Sequence, residues 1–250
     1  MTLMAWNTQS TVPGLMTQKH DSPDHSNTLL VIPTLNEEEA IQDLVAEARA
    51  AGFLNILIVD GFSSDRTREI AEQTGARVIL QDFGKGKGCG VRTAMREFLQ
   101  RDSQMLGIID GDGTNIPSHL AKMIPLVESG EANVVLGSRT RGPRDKRAMG
   151  AVTLASNLTV SFLLGAKFGR HFTDVQTGYW LFNREAVERV YPLLKSTGFE
   201  IELELFVKTL KARLRVRELP VGFRARKGLT KFSFRSRVRN LYYAFKFLAS

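Results

Sequence analysis

Five short, β-rich apolar runs recur between residues 28 and 139: TLLVIP (28–33), FLNILIVD (53–60), ARVILQ (76–81), MLGIID (105–110) and ANVVLGSR (132–139). Runs that do not alternate with polar residues suit strands buried on both faces, as in a parallel sheet. Segments of helical period lie between them. In NEEEAIQDLVAEARAAG (36–52), Ile41, Leu44, Val45 and Ala48 share one face, acids crowd the first turn and Gly52 follows the end. In SSDRTREIAEQTG (63–75), Ser64 is placed to cap a helix and Gly75 to end it. Strand and helix alternating at this spacing predict an α/β fold: a Rossmann-like, doubly wound, mostly parallel sheet flanked by helices. At 250 residues and 43% hydrophobic, the chain is long enough to build it as a single domain. Residues 1–27 have no periodicity and read as a flexible tail, residues 28–234 as the domain, and residues 235–250 as a basic amphipathic helix.

Ligands of such sheets sit beyond the carboxyl ends of the strands. The five runs end at PTLNE (33–37), DGFSSD (60–65), QDFGKGKG (81–88), DGDG (110–113) and GSR (137–139), so acids, glycines and cations converge on one rim. The alternating glycines at 84, 86, 88 and 90 fit neither G-x-G-x-x-G nor a P-loop. They offer a backbone able to approach a ligand, with Lys85 and Lys87 beside it and a helix N-terminus behind. Asp110 and Asp112 are separated only by Gly111 at a strand end. Such a pair can hold Mg2+ or Mn2+ through oxygen while leaving positions for water and phosphates; a tight Asp-Gly turn is the alternative. Asp60 arrives at the same rim from a neighbouring strand.

The net charge of +8 is concentrated near the C-terminus, where residues 211–250 hold twelve Lys or Arg and a single acid, Glu218. A second basic run, RTRGPRDKR (139–147), leads into AVTLASNLTVSFLLGAKFG (151–169). In RSRVRNLYYAFKFLAS (235–250), Val238, Leu241, Tyr242 and Phe245 share a face, with Arg235, Arg237 and Arg239 nearby. Basic residues beside apolar amphipathic sequence predict contact with an anionic membrane surface, against the alternative of solvated or docked helices. No nucleic-acid partner is expected, because neither zinc-finger spacing nor an aromatic RNA-binding signature accompanies the charge. The lone Cys89 and the lack of a secretory signal predict a cytoplasmic setting. No apolar run of 18 residues is present, so membrane association is expected to be peripheral. The oligomeric state is left open, a homo-oligomer included.

The ordered series VIPTLNEEE, VDGFSSDRT, GKGKGCGVRTA, DGDGT, VVLGSR, DVQTGYWLFNREA, GFEIELEL, ELPVGF and RKGLTK resembles the dolichyl-phosphate mannosyltransferase-like, or polyprenyl-phosphate, branch of family 2 glycosyltransferases. The resemblance spans roughly residues 28 to 234. It implies a glycosyltransferase A-type fold, a nucleotide-sugar donor (GDP-mannose or a UDP-sugar), a polyprenyl phosphate acceptor, a divalent metal and inversion at the anomeric carbon. By matching position, Pro33, Asn36 and Glu37 form a donor-side loop, and Asp60 lies near base and ribose, with Gly61 where the family has a second acid. Lys87 matches the Gly-Lys-Gly lysine, with Gly90 and Ala94 in place of the usual small residues after it. Asp110 and Asp112 match the metal motif, and Arg139 the Gly-Ser-Arg arginine. Asp174, Thr177 and Gly178 match the acceptor-side motif, and Arg226 and Lys231 cations facing phosphate. The catalytic set is thus Asp112, Arg139, Asp174, Arg226 and Lys231. A soluble hydroxyl acceptor, with Asp174 as base, is the alternative. A sugar-phosphate nucleotidyltransferase would carry a basic, glycine-rich loop where this chain has PTLNEEE.

Overall fold

The computed structural model describes residues 24–146, 148–230 and 234–249. Most of the expected tail, and Lys231, lie outside the described residues. Its described part is docked: the His25 N–H donates to Gly52 O, and the His25 ring packs 5.0 Å from that of Phe53.

The five expected runs are the first five strands, β1 (Thr28–Thr34), β2 (Ile56–Asp60), β3 (Arg77–Leu80), β4 (Met105–Ile108) and β5 (Val134–Ser138). Two strands that periodicity does not announce, β6 (Trp180–Asn183) and β7 (Val216–Pro220), complete a sheet of order β3-β2-β1-β4-β6-β5-β7. Only β6 runs antiparallel, to both β4 and β5. The fold is therefore the expected single α/β domain with a mostly parallel sheet. The chain leaves β1 toward β2 on one side and returns to β4 on the other, so the crevice where strand order reverses opens between β1 and β4. Both aspartates of DGD follow β4.

Because strand side chains alternate between faces, β1 feeds two cores. Leu29 and Val31 pack with Phe98, Trp180, Phe182 and Phe206 on one face. Leu30 and Ile32 pack with Ile41, Leu44, Phe53 and Tyr179 on the other. The helices on these faces are α1 (Ile41–Ala50), α2 (Thr67–Gln73), α3 (Lys87–Leu99), α4 (Pro117–Ala121), α5 (Ile124–Glu128), α6 (Ala151–Lys167), α7 (Arg184–Val190), α8 (Ile201–Lys211) and α9 (Phe234–Ala249). Helix α1 buries Ile41, Leu44, Val45 and Ala48 as expected, but it begins after the acids 37–39, which serve the loop instead. Ser64 does not cap α2. Its N–H donates to Asn36 Oδ1, and Asp65 Oδ1 accepts from the Thr67 N–H and hydroxyl. Gly75, at φ 73, ends that helix as expected.

Helix α6 buries Val160 and Leu164 together with two polar residues, and it exposes several apolar ones. Asn157 and Ser161 are buried, whereas Val152 and Phe162 are 73% and 63% exposed. Helix α9 packs beside it, burying Asn240, Ala244 and Phe247 and leaving Val238, Leu241, Tyr242 and Phe245 exposed. Lys167 fastens the pair, its Nζ donating to Phe247 O and Leu248 O, both at 2.9 Å. An apolar groove lined by Leu163, Leu241, Phe245 and Leu248 lies between the two helices. Among the described residues no helix is long and apolar enough to cross a membrane.

Candidate active site

A cavity of about 500 Å³ occupies the crevice beyond β1 and β4. Pro33, Thr34, Gly61 and Gln81 line one end and Asp110 and Asp112 the middle, while Thr153 and Asn157 of α6 and Asn240 of α9 line the other end. Arg139, Glu202 and Arg226 complete the wall.

Each aspartate of the pair carries a cation that reaches on to a second acid. Lys87 Nζ lies 2.6 Å from Asp110 Oδ1 and 2.5 Å from Glu202 Oε1. Arg226 lies 2.5 Å from Asp112 Oδ2 and 2.5 Å from Glu37 Oε1. Burial works against the charge on Lys87, but Asp110 and Glu202 outweigh it and raise its pKa well above the ordinary value. Burial likewise pushes the Glu202 carboxyl up, against the opposing pull of Lys87. Asp112 Oδ1 also accepts from the Thr114 N–H and hydroxyl, which fixes its rotamer.

The donor set fits a hard divalent cation that is completed by substrate. The carboxylates of Asp110 and Asp112 face the cavity beside those of Glu37 and Glu202, and each aspartate already draws positive charge. No cluster of three or more His, Cys, Asp or Glu able to hold a metal occurs among the described residues. A site with two protein oxygens leaves the rest of the coordination shell to phosphates and water, as Mg2+ prefers.

Arg139 is held by a second network. Its backbone N–H and Nε donate to Asp174 Oδ2 at 2.8 and 2.7 Å, and its Nη2 donates to Asp174 Oδ1 and Gln176 O. Asn157 Nδ2 adds a fourth hydrogen bond to the Asp174 carboxylate. Glu218 fixes the same loop by accepting from the Thr173 and Asp174 N–H groups. Burial opposes the Arg139 charge, and Asp174 more than restores it. Asp174 is fully buried with both oxygens engaged, so it orients Arg139 and presents no free lone pair to a hydroxyl. The alternative in which Asp174 takes a proton from a hydroxyl acceptor would require one of these four hydrogen bonds to give way.

Pro33, Glu37, Lys87, Asp110, Asp112, Arg139 and Arg226 of the sequence-derived set therefore line one cavity. Lys231 lies outside the described residues, and Asn36, Asp60, Asp174, Thr177 and Gly178 are not among the lining residues. Asn36, at φ 50, accepts from the Ser64 N–H; Asp60 Oδ2 accepts from the Phe62 and Ser63 N–H groups; Thr177 Oγ1 accepts from the Tyr179 N–H. Gly178 is needed for close approach, since a Cβ there would run into the Asp110 carboxylate. Gly86 and Gly88 have a different use from the expected one: they abut the backbone at 196–197, where the Gly88 N–H donates to Thr197 O at 2.9 Å, although Gly86 still edges the cavity. Sequence reasoning missed Glu202, Gln81, Asn157 and Phe223, whose ring centroid is 5.2 Å from the Arg139 guanidinium. Glu202 left a legible signal: Glu200, Glu202 and Glu204 are spaced among Ile, Leu, Phe and Val in a helix with almost no polar face, and all three are buried.

The model of the family described as "Glycosyl transferase family 2" matches residues 29–191. The chain belongs to glycosyltransferase family 2. Glycosyltransferase AglJ of Haloferax volcanii is 33% identical over 201 residues, covering 80% of this chain, which spans 64% of that longer relative. The dolichyl-phosphate hexose transferase of the same organism is 32% identical, covering 81% of this chain and 85% of its own. Polyprenol monophosphomannose synthase of Mycolicibacterium smegmatis is 28% identical, covering 82% and 81%. Glucosyl-3-phosphoglycerate synthase from Mycobacterium tuberculosis, solved with uridine diphosphate, superposes with a TM-score of 0.69 over 89% of this chain and 80% of that one. At 17% identity this likeness establishes the shared glycosyltransferase A-type fold. The same enzyme has been crystallised with Mn2+ and UDP-glucose. Family and fold thus agree with the resemblance read from the motifs.

Proposed function

We propose that this family 2 glycosyltransferase moves a sugar from a nucleoside diphosphate onto a polyprenyl phosphate at the cytoplasmic face of a membrane, with inversion. One observation carries the reading: helices α6 and α9 line both the acid- and cation-bearing cavity and the apolar groove beside it. A substrate with a phosphate head and a hydrocarbon tail matches that pairing of surfaces. The relatives named for dolichyl and polyprenol phosphates support it.

Asp110 and Asp112 would hold Mg2+ or Mn2+, which supplies positive charge against the leaving diphosphate. The chain's own residues do the rest. Arg139, locked through Nε and Nη2 by Asp174, and Arg226 supply the positive charge that gathers two phosphorylated substrates that repel each other, and Arg226 would exchange its carboxylate contacts for phosphate oxygens. A phosphate monoester has a second pKa near 6, so the acceptor is already anionic at pH 7 and needs no base. Its oxygen bonds to the anomeric carbon on the face opposite the diphosphate, whose bond to that carbon breaks with the electron pair. The absence of a required base agrees with the enclosed state of Asp174 and with the Lys87 contact of Glu202. A hydroxyl acceptor would need a carboxylate free to take its proton.

The test is transfer of labelled sugar into an organic-extractable product, with polyprenyl phosphate in detergent or vesicles. Label in the lipid phase that depends on Mg2+ or Mn2+ is expected. Label found only in a water-soluble glycoside would overturn the acceptor assignment.

A further inference from the structure

We propose that a second cavity, at the end of the sheet opposite Asp110 and Asp112, binds a phosphate group through Arg170, Arg213 and Arg215. Its volume is about 360 Å³, and it lies where the loop after α6, the turn after α8 and the start of β7 meet. Strand β7 runs in the same direction as β4, so its first residue, Val216, is far from the rim that carries the aspartates. Four arginines line this cavity, Arg170, Arg213, Arg215 and Arg217, against one acid, Glu131. Arg217 Nε is paired with Glu131 Oε1 at 3.0 Å, which leaves the other three without a carboxylate among the described residues.

Arginines gather at helix C-termini for a plain reason, the free carbonyls and the negative dipole end found there. Here those carbonyls already have donors. After α6, Gly165 O accepts from the Phe168 and Arg170 N–H groups and Ala166 O from that of Gly169. After α8, Thr209 O and Leu210 O accept from the Leu214 and Arg213 N–H groups, and Ala212 O accepts from Arg189. Arg170 Nη2 donates to Val216 O at 2.7 Å, which fixes its guanidinium at the cavity. The side chains of Arg213 and Arg215 make no hydrogen bond or ion pair among the described residues. Arg213 is also strained. It follows α8 at φ 55, whereas the same position after α1, α2, α5 and α6 holds Gly52, Gly75, Gly130 and Gly169. A turn of that shape favours glycine, so the turn alone does not call for arginine. Phosphate fits the surplus charge, since its several charged oxygens can each meet a guanidinium fork. Phe168, Leu214 and Val216 give the cavity an apolar wall for the carbon part of a ligand. Helix α6 carries Thr153 and Asn157 at the first cavity and leads into Phe168 at the second. Its exposed apolar residues lie between the two, so an anionic lipid headgroup is one source of the phosphate and free phosphate the other.

The experiment compares the full chain with two double variants that remove equal charge. One changes the site, Arg213→Gly with Arg215→Gln; the other is a control on exposed residues elsewhere, Arg68→Gln with Lys122→Gln. Melting curves are recorded with and without inorganic phosphate. Sedimentation at fixed salt uses phosphatidylcholine vesicles with and without phosphatidylglycerol. Without ligand the site variant should melt close to wild type, because glycine suits the turn it enters. Phosphate held at Arg139 and Arg226 acts alike on all three proteins, so their differences read the second cavity. Affinity for vesicles containing phosphatidylglycerol should fall at least about tenfold in the site variant, the effect of losing one hydrogen bond to a charged group, and much less in the control. That result identifies a lipid headgroup. A rise in melting temperature with inorganic phosphate that the site variant alone loses also supports the site and identifies free phosphate as the ligand. A loss no greater in the site variant than in the control, with both probes, is general attraction to a basic protein and overturns the proposal.

Discussion

Replacing Arg226 with Met should strengthen metal binding while weakening catalysis, an outcome that separates a gate from a simple structural contact. Arg226 bridges Asp112 and Glu37, and the three side chains are 23%, 14% and 7% exposed. The pair is too enclosed for the 0–1 kcal/mol typical of surface ion pairs. A hydrogen bond to a charged group, worth about 1.5–3 kcal/mol net, is the better measure. A divalent cation approaching Asp112 without nucleotide must displace that contact. In Arg226→Met it need not, so Mn2+ affinity should rise roughly 10- to 150-fold, while the apolar side chain preserves most of the packing. The variant should melt earlier, because Asp112 loses this cation and Glu37 its ion pair with Arg226, and Mn2+ should recover much of the loss. Turnover should fall by about 2–4 kcal/mol in transition-state stabilisation, since a cation aimed at the phosphates is gone. Mn2+ titration followed by electron paramagnetic resonance, with melting curves and single-turnover transfer, measures all three. Mn2+ affinity that is unchanged or weaker in the variant would refute the reasoning.

Asp112→Asn should abolish metal-dependent donor binding with the fold intact; calorimetry showing unchanged donor affinity with and without chelator would reduce DGD to a turn. Asp174→Asn should destabilise the domain by about 3–5 kcal/mol in urea titration, the cost of breaking a buried pair, because Arg139 loses its charged partner; normal stability with lost turnover would restore Asp174 as a candidate base. Lys87 has a raised folded pKa, so its stabilising contribution is complete below the ordinary 10.5 and is lost only as pH rises through the higher folded value. Urea titrations of wild type and Lys87→Met should keep a constant difference from pH 7 to 10, and a difference that shrinks within that range would contradict the assignment. Vesicles containing anionic lipid should sediment the protein at low salt and release it at high salt, with roughly 1 kcal/mol per nearby Lys or Arg; salt-independent binding would point to the apolar faces of α6 and α9 alone.

The five runs from 28 to 139 announced β1–β5: β1, β2, β4 and β5 because a strand buried on both faces must be apolar along its length, and the edge strand β3, partly exposed, because Val78, Ile79 and Leu80 follow one another. They announced the active rim too, because polar residues at the ends of such strands have few structural uses. Strands β6 and β7 were not legible. Trp180–Asn183 is four residues long, and Val216–Pro220 carries Arg217 and Glu218, so neither has a period of its own. Their places depend on pairing with β4 and β5, which are distant in sequence. The pairings within the site were equally out of reach. Matching to the family's motifs brought Asp112, Arg139, Asp174 and Arg226 forward as separate candidates. Only the tertiary structure joined Arg139 to Asp174 and Arg226 to Asp112, because those contacts span 35 and 114 residues. The polar part of the buried face of α6 follows the same logic. Asn157 and Ser161 face inward because Asp174 and the Val175 N–H require partners there. Sequence determined which residues reach the rim of the sheet; the packing of distant segments decided which of them are free to meet a substrate, since a carboxylate's chemistry depends on what already occupies its lone pairs.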